Sequence, residues 1–265
     1  EIQLVFFNLG FIISVFKYLL NRKVSWIIVA GMFAGLMMAT KETWVLFIGV
    51  QAVAFFTVLL KRNGFSKTIQ EIAAFAKSFH FLLFLVATVI IYVVFYSSFF
   101  TWPQGIAESL KAFNGYFDRA GSEELHGQPW WYYLKVLTKG TSAKFLLRAD
   151  AWFLLGGIAG IFLLVAMPAQ NSRHLFYLFW GYSTVLSGIL LSVFSYKTPW
   201  NFMMVYTGLI FLSNYAISHL LQRGRKPLVW AVAILATIHI SYQDWSDNFV
   251  FYTNPANTFV YSHPT

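Results

Sequence analysis

The sequence predicts an all-α, polytopic integral membrane protein, and three observations carry that fold class. Hydrophobic residues make up 58% of the 265-residue chain and charged residues only 11%, with a mean hydropathy of +0.61. An ordinary soluble domain has about 25% charged and about 45–50% apolar residues, and one core of this length could not hide the difference. The apolar residues come in long unbroken runs rather than in the period-two alternation of barrel strands. Ten Trp, 14 Tyr and 29 Phe suit lipid-facing surfaces and interfacial aromatic belts. The same figures exclude intrinsic disorder. With no cysteine there is no disulfide framework, no thiolate metal site and no cysteine nucleophile.

A helix crosses a bilayer with about 20 apolar residues, and about eight runs meet that need. They cover residues 2–20, 24–40, 43–60, 79–100, 151–167, 175–194, 201–221 and 228–241. The fourth is the strongest, with no charge along it, and the first and last are the weakest. Gly156, Gly157 and Gly160 in the fifth read as a close helix-packing face.

Orientation follows from the basic residues. Lys17 and the segments 21–23, 61–77, 170–173 and 222–226 hold 11 of the 19 Lys and Arg but a single acid, Glu71. That bias makes them cytoplasmic. Residues 40–43, 101–150, 195–200 and the tail 242–265 then lie outside the cell membrane, where the active face is expected. The net charge of +9 is thereby explained by topology, and nucleic acid is not an expected partner.

The segment 101–150 is the one long connection, and long connections usually carry structure or function of their own. Ile106, Leu110, Phe113 and Phe117 recur at helical spacing, which predicts an amphipathic helix over 105–117. Pro129 opens a second predicted helix over 129–145, rich in aromatics beside lysines, as interfacial helices are. Otherwise the chain reads as a single transmembrane domain over 1–265.

Two short turns concentrate the chemistry. Thr40-Lys41-Glu42-Thr43 and Ser195-Tyr196-Lys197-Thr198-Pro199-Trp200 each place a lysine at an extracytoplasmic helix end, against the charge bias. Charges at membrane depth are costly and tend to mark ligands or pathways. Two ammonium groups beside hydroxyls and free N–H groups would bind a phosphate at the membrane surface. The competing reading is a pair of snorkelling lysines. Glu42 reads either as an acceptor for a sugar hydroxyl or a general base, or as the counter-ion of Lys41. His126, three residues after Glu123, reads as one arm of a metal pair or as a solvated loop histidine. Trp130 and Trp131 fit either sugar stacking or an aromatic belt. No phosphate-loop, dinucleotide or zinc signature occurs. The cofactor stays open, a divalent metal being allowed but not indicated.

At these residues the chain resembles a known superfamily. Gly35-Leu36-Met37-Met38-Ala39-Thr40-Lys41-Glu42 is similar to the helix-end pattern of GT-C membrane glycosyltransferases related to protein O-mannosyltransferases and the aminoarabinose transferase of lipid A. Tyr196-Lys197-Thr198-Pro199-Trp200 resembles their later Lys-x-Pro-aromatic turn. Together with His126-Gly127-Gln128-Pro129-Trp130-Trp131-Tyr132-Tyr133-Leu134 and the final Asn254-Pro255 to Val260-Tyr261-Ser262-His263-Pro264, these resemble the prokaryotic branch labelled flippase-activity-associated. The resemblance implies transfer of a sugar from a polyprenyl-phosphate donor to a protein, lipid or glycan acceptor, amid membrane lipids. It implies lipid-phosphate contacts at Lys41 and Lys197, with Glu42, His126, Trp130, Tyr196 and Trp200 near the substrate. The family's catalytic acid sits in a loop that nothing here matches, so the chain is expected to be a fragment, preceded by that loop and followed by a further C-terminal region. The alternative is a flippase or transporter component that handles lipid-linked sugars without chemistry; transporters favour charged or broken helices near the midplane.

Overall fold

The apolar runs fold as helices. A computed structural model describes residues 1–120, 127–139, 147–166 and 171–254. Among them the only extended pairing is one isolated antiparallel bridge, between Gly127 and Tyr196. Among the described residues five helical segments are long and apolar enough to cross a membrane: Ile2–Asn21, Trp44–Asn63, Phe79–Tyr96, Ser172–Val193 and Pro199–Gln222. Val24–Met38 and Ala151–Ala166 are apolar but shorter. At 15 and 16 residues they are about 22–24 Å long, against a hydrocarbon core of about 30 Å. Lys226–Trp245 has the length, at 20 residues, but its second half is diluted by His239, Ser241, Gln243 and Asp244. The expected eight spans thus become five that meet both criteria, two short apolar helices and one mixed one.

The chain divides into two compact units, residues 1–122 and 123–265. The first contains α1 (Ile2–Asn21), α2 (Val24–Met38), α3 (Trp44–Asn63), α4 (Phe65–Ala76), α5 (Phe79–Tyr96) and α6 (Gly105–Ala120). Here α2 packs against both α1 and α5. Small residues let it do so. A Cβ added at Gly31 would collide with the Phe84 carbonyl, and one at Gly35 would lie 2.7 Å from the Thr88 carbonyl. The Thr88 hydroxyl bridges the same seam, donating to the Gly31 carbonyl at 3.0 Å. Close backbone approach at a small-xxx-small spacing is how helices associate in lipid, where burial of apolar surface gives no drive. Consistent with that solvent, α5 buries none of its side chains, and Leu82, Leu85, Val89 and Ile90 all face outward.

Helix boundaries follow from local chemistry. Arg22 ends α1 in the left-handed conformation, its N–H donating to the Tyr18 carbonyl at 2.7 Å, and its guanidinium lies 5.5 Å from the centre of the Tyr18 ring. Gly64, at φ 77°, breaks α3 from α4. The Ser78 hydroxyl caps α5 by accepting the Phe81 N–H. After α5, Ser98, Phe99 and Phe100 all have positive φ, which leaves two aromatic rings exposed at that helix end.

The second unit contains α7 (Tyr132–Thr138), α8 (Ala151–Ala166), α9 (Ser172–Val193), a 3-10 turn at Pro199–Phe202, α10 (Met203–Gln222), α11 (Lys226–Trp245) and a closing π-turn at Ser246–Val250. Here α10 is the central element, packed on α8 and α9. The glycine face expected on α8 is real: a Cβ at Gly156 would strike Ser213, and one at Gly160 the Leu212 carbonyl. Tyr133 of α7 stacks on Phe202 with centroids 4.5 Å apart, above Leu191, Val205 and Leu209.

Three segments differ from their expected form. The helix predicted over 129–145 starts later, because the Pro129 carbonyl accepts only the Tyr132 N–H in a turn and the α-helical ladder begins beyond it. It also ends earlier, at Thr138, since Lys139 is extended; residues 140–146 lie outside the described set. The helix predicted over 105–117 runs to Ala120. Within the basic connection 61–77, read from the sequence only as charged linker, lies the 12-residue helix α4.

Candidate functional site

The turn between α9 and α10 is built around Lys197. At its C-terminus α9 gives way to extended Phe194, which frees the Phe194 carbonyl from the helical ladder. Pro199 then starts the 3-10 turn, with the Asn201 N–H closing onto the Thr198 carbonyl at 3.2 Å. Between them Lys197 folds inward and is only 3% exposed. Its ammonium donates to the Gln128 carbonyl at 3.0 Å and to the Phe194 carbonyl. No carboxylate pairs with it among the described residues. An ammonium has three donors, so one remains after those two carbonyls. Next to it, the Thr198 hydroxyl is buried and has no partner among the described residues.

The electrostatic consequence is direct. Burial pushes the Lys197 ammonium below its ordinary value, because desolvation penalises the charged form. The carbonyl dipoles offset only part of that cost. A positive charge, a spare ammonium proton and an adjacent hydroxyl are groups through which an anion could be held at this turn.

The segment 127–130 runs beside the turn. Gln128 N–H donates to the Ser195 carbonyl at 3.1 Å, and Gly127 bridges Tyr196. Trp130, two residues on, is 69% exposed. The structure therefore brings Lys197, Tyr196 and the Gln128 backbone together, with Trp200 inside the 3-10 turn. His126 lies outside the described residues.

The other lysine turn belongs to the first unit and differs in kind. Lys41 is ion-paired with the carboxylate of Glu1 rather than with Glu42, its neighbour. The turn closes through the Trp44 N–H onto the Lys41 carbonyl at 3.1 Å, and the Thr40 hydroxyl is spent on the Leu36 carbonyl at 2.6 Å. The Thr43 hydroxyl is buried without a partner among the described residues. Tyr96 of α5 donates to the Met38 carbonyl at 2.8 Å and so fixes the end of α2 beside the turn. Here the lysine's charge is already answered. Of the two turn lysines, Lys197 has no carboxylate partner among the described residues.

One constellation escaped the sequence reading. The buried Arg148 guanidinium forks between Asp150, at 2.7 Å, and Asp247, at 3.3 Å. Asp150 also accepts from the Tyr206 hydroxyl at 2.9 Å, and the Gln243 side chain takes the Ala149 N–H at 2.6 Å. This network ties the start of α8 to α10 and to the end of α11. Its sequence signal was Gln243 and Asp247, four apart on one helical face, together with Arg148 and Asp150 flanking the start of an apolar run. Among the described residues no three His, Asp or Glu side chains are grouped to hold a metal ion.

Comparisons with protein-family models, with curated proteins and with solved structures find no match to this chain. The functional reading therefore rests on the turns themselves and on the motifs quoted above.

Proposed function

We propose that this chain is the membrane part of a glycosyltransferase of the GT-C kind, moving a sugar from a polyprenyl-phosphate donor to a protein, lipid or glycan acceptor on the extracytoplasmic face. In this reading all eight apolar runs cross the cell membrane. The observation that carries the proposal is Lys197, a buried ammonium that among the described residues is held by carbonyls alone, beside a Thr198 hydroxyl with no partner among them. As the sugar leaves, negative charge grows on the lipid phosphate. A preorganised cation there stabilises that charge without reorganisation. In the first unit, Lys41 would offer a phosphate contact of its own by exchanging Glu1 for the anion. Tyr196, Trp200, Trp130 and His126 would serve the sugar in the second unit, and Glu42 is the corresponding candidate in the first.

The test is binding of a polyprenyl phosphate to the purified protein in detergent, followed by native mass spectrometry. Loss of one charged hydrogen bond costs about 1.5–3 kcal/mol, so Lys197→Met should weaken binding about 10- to 100-fold. Lys135→Met, on the exposed face of α7, should leave it unchanged. Equal binding by wild type and Lys197→Met would remove the phosphate role from this turn.

A further inference from the structure

Between two membrane-length helices, α3 and α5, the chain makes a 12-residue helix with three distinct faces. One face is packed: Thr68 is fully buried with its hydroxyl on the Gly64 carbonyl at 2.8 Å, and the Phe75 ring lies 6.0 Å from that of Tyr18 and 5.5 Å from that of Phe81. A second face is apolar and bare: Phe65, Ile69 and Ile72 recur four and three residues apart and are 69%, 44% and 41% exposed. The third carries Ser66, Lys67, Gln70 and Lys77, all exposed. Lys61 and Arg62 end α3 immediately before it. The one acid, Glu71, accepts from the Asn63 amide at 2.8 Å.

We propose that α4 is an in-plane membrane-interface helix whose partner is the headgroup layer of anionic phospholipid. At 12 residues it is about 18 Å long and too short to cross. It joins consecutive ends of α3 and α5, which are candidate spans, so it lies where both helices leave the hydrocarbon. Its bare Phe65, Ile69 and Ile72 face has no protein cover among the described residues, and apolar faces of this kind sink into the headgroup–acyl boundary. Four basic side chains, at Lys61, Arg62, Lys67 and Lys77, surround one acid, which is the charge complement of an anionic leaflet. The inference rests on α3 and α5 spanning the membrane, and is independent of the glycosyltransferase reading.

The native chain has no cysteine, so single cysteines at Ile69, Ile72 and Gln70 can carry an environment-sensitive fluorophore in the full chain. The protein would be reconstituted in phosphatidylcholine vesicles with and without phosphatidylglycerol. Labels at Ile69 and Ile72 should be quenched several-fold more by shallow spin-labelled lipid than by aqueous iodide, with the reverse at Gln70. Phosphatidylglycerol should strengthen that contrast and added salt should weaken its effect. A control label at Val89, on the bare flank of α5, should be quenched by deep spin-labelled lipid. Should Val89 prove wet, the spanning reading itself fails. With Val89 in lipid, iodide quenching at Ile69 and Ile72 equal to that at Gln70 overturns the interface helix. Lipid quenching that ignores phosphatidylglycerol overturns its preference for anionic headgroups.

Discussion

Lys197 is the residue on which the chemistry turns, and its titration gives a test that needs no substrate. Burial holds its ammonium below the ordinary value of 10.5, so between the lowered value and 10.5 the unfolded chain binds more protons than the folded one. Stability of the ligand-free protein therefore rises with pH across that window, and below it the cost of the buried charge is present in full. A bound phosphate acts in the opposite sense: it needs the ammonium, so anion affinity falls as pH climbs through the same range. We expect the difference between wild-type and Lys197→Met alkaline thermal melts, with and without polyprenyl phosphate, to show both trends, since groups titrating elsewhere in the chain cancel in the comparison. Superimposable pH profiles of the two proteins would mean that the ammonium is solvated. The position of Lys197 in a tight polar turn was readable, because a lysine against the topological charge bias stands out. Its carbonyl partners were not, since Gln128 lies 69 positions away and backbone acceptors leave no trace in residue type. The partner of Lys41 was equally hidden, Glu1 being 40 positions distant where Glu42 is adjacent.

At the scale of elements, glycines decide which helices touch. Gly31 and Gly35 let α2 meet the α5 backbone, so a side chain there must push two helices apart. Gly31→Leu and Gly35→Leu should each cost about 1–3 kcal/mol, the range for overpacked sites. Thr88→Val keeps the volume and loses one interhelical hydrogen bond, for which about 0.6 kcal/mol is typical in a membrane protein. Gly49→Ala is the control, since a Cβ there meets nothing within 4 Å; it should be neutral or slightly stabilising through helix propensity. Unfolding in mixed detergent micelles would rank the four, and an order with Thr88→Val worst would transfer the seam from packing to polar contacts. The element pattern explains what periodicity could and could not give. Uninterrupted apolar runs announced α1, α3, α5, α9 and α10, because lipid demands no alternation. The helix α4 was masked by its lysines, which read as loop although Thr68 and Phe75 bury one stripe. The early end of α7 was invisible because it depends on Lys139 becoming extended and on Thr138 receiving the Arg148 N–H at 3.0 Å.

For the molecule as a whole, sidedness is the claim on which an outer site depends, and contacts within each unit bear on it independently of charge. In the first unit Glu1 pairs with Lys41 and Met38 with Tyr96, at helix ends next to segments expected outside, while Tyr18 meets His80 and Asn63 meets Glu71, in or next to segments expected inside. In the second unit Gln128 meets Lys197 and Arg148 meets Asp247, all in segments expected outside, while Tyr215 meets His174 beside segments expected inside. The basic-residue bias takes no account of these pairings, yet none of them joins opposite sides. Their geometry also selects the reporters for a labelling test. Thr43 and Thr198, natural choices from the turn sequences, are buried, and Gly64 and Gly224 have positive φ that a cysteine would strain. Exposed positions with ordinary backbone serve better: Gln104 and Lys139 on the expected outer side, Gln70 and Gln222 on the inner. In intact cells an impermeant thiol reagent should modify cysteines at Gln104 and Lys139 and spare those at Gln70 and Gln222 until the membrane is opened. Modification at Gln70 and Gln222 alone would place Lys197 on the cytoplasmic face, where an extracytoplasmic sugar donor could not reach it, and would leave its buried charge as a structural clasp on the Gln128 segment.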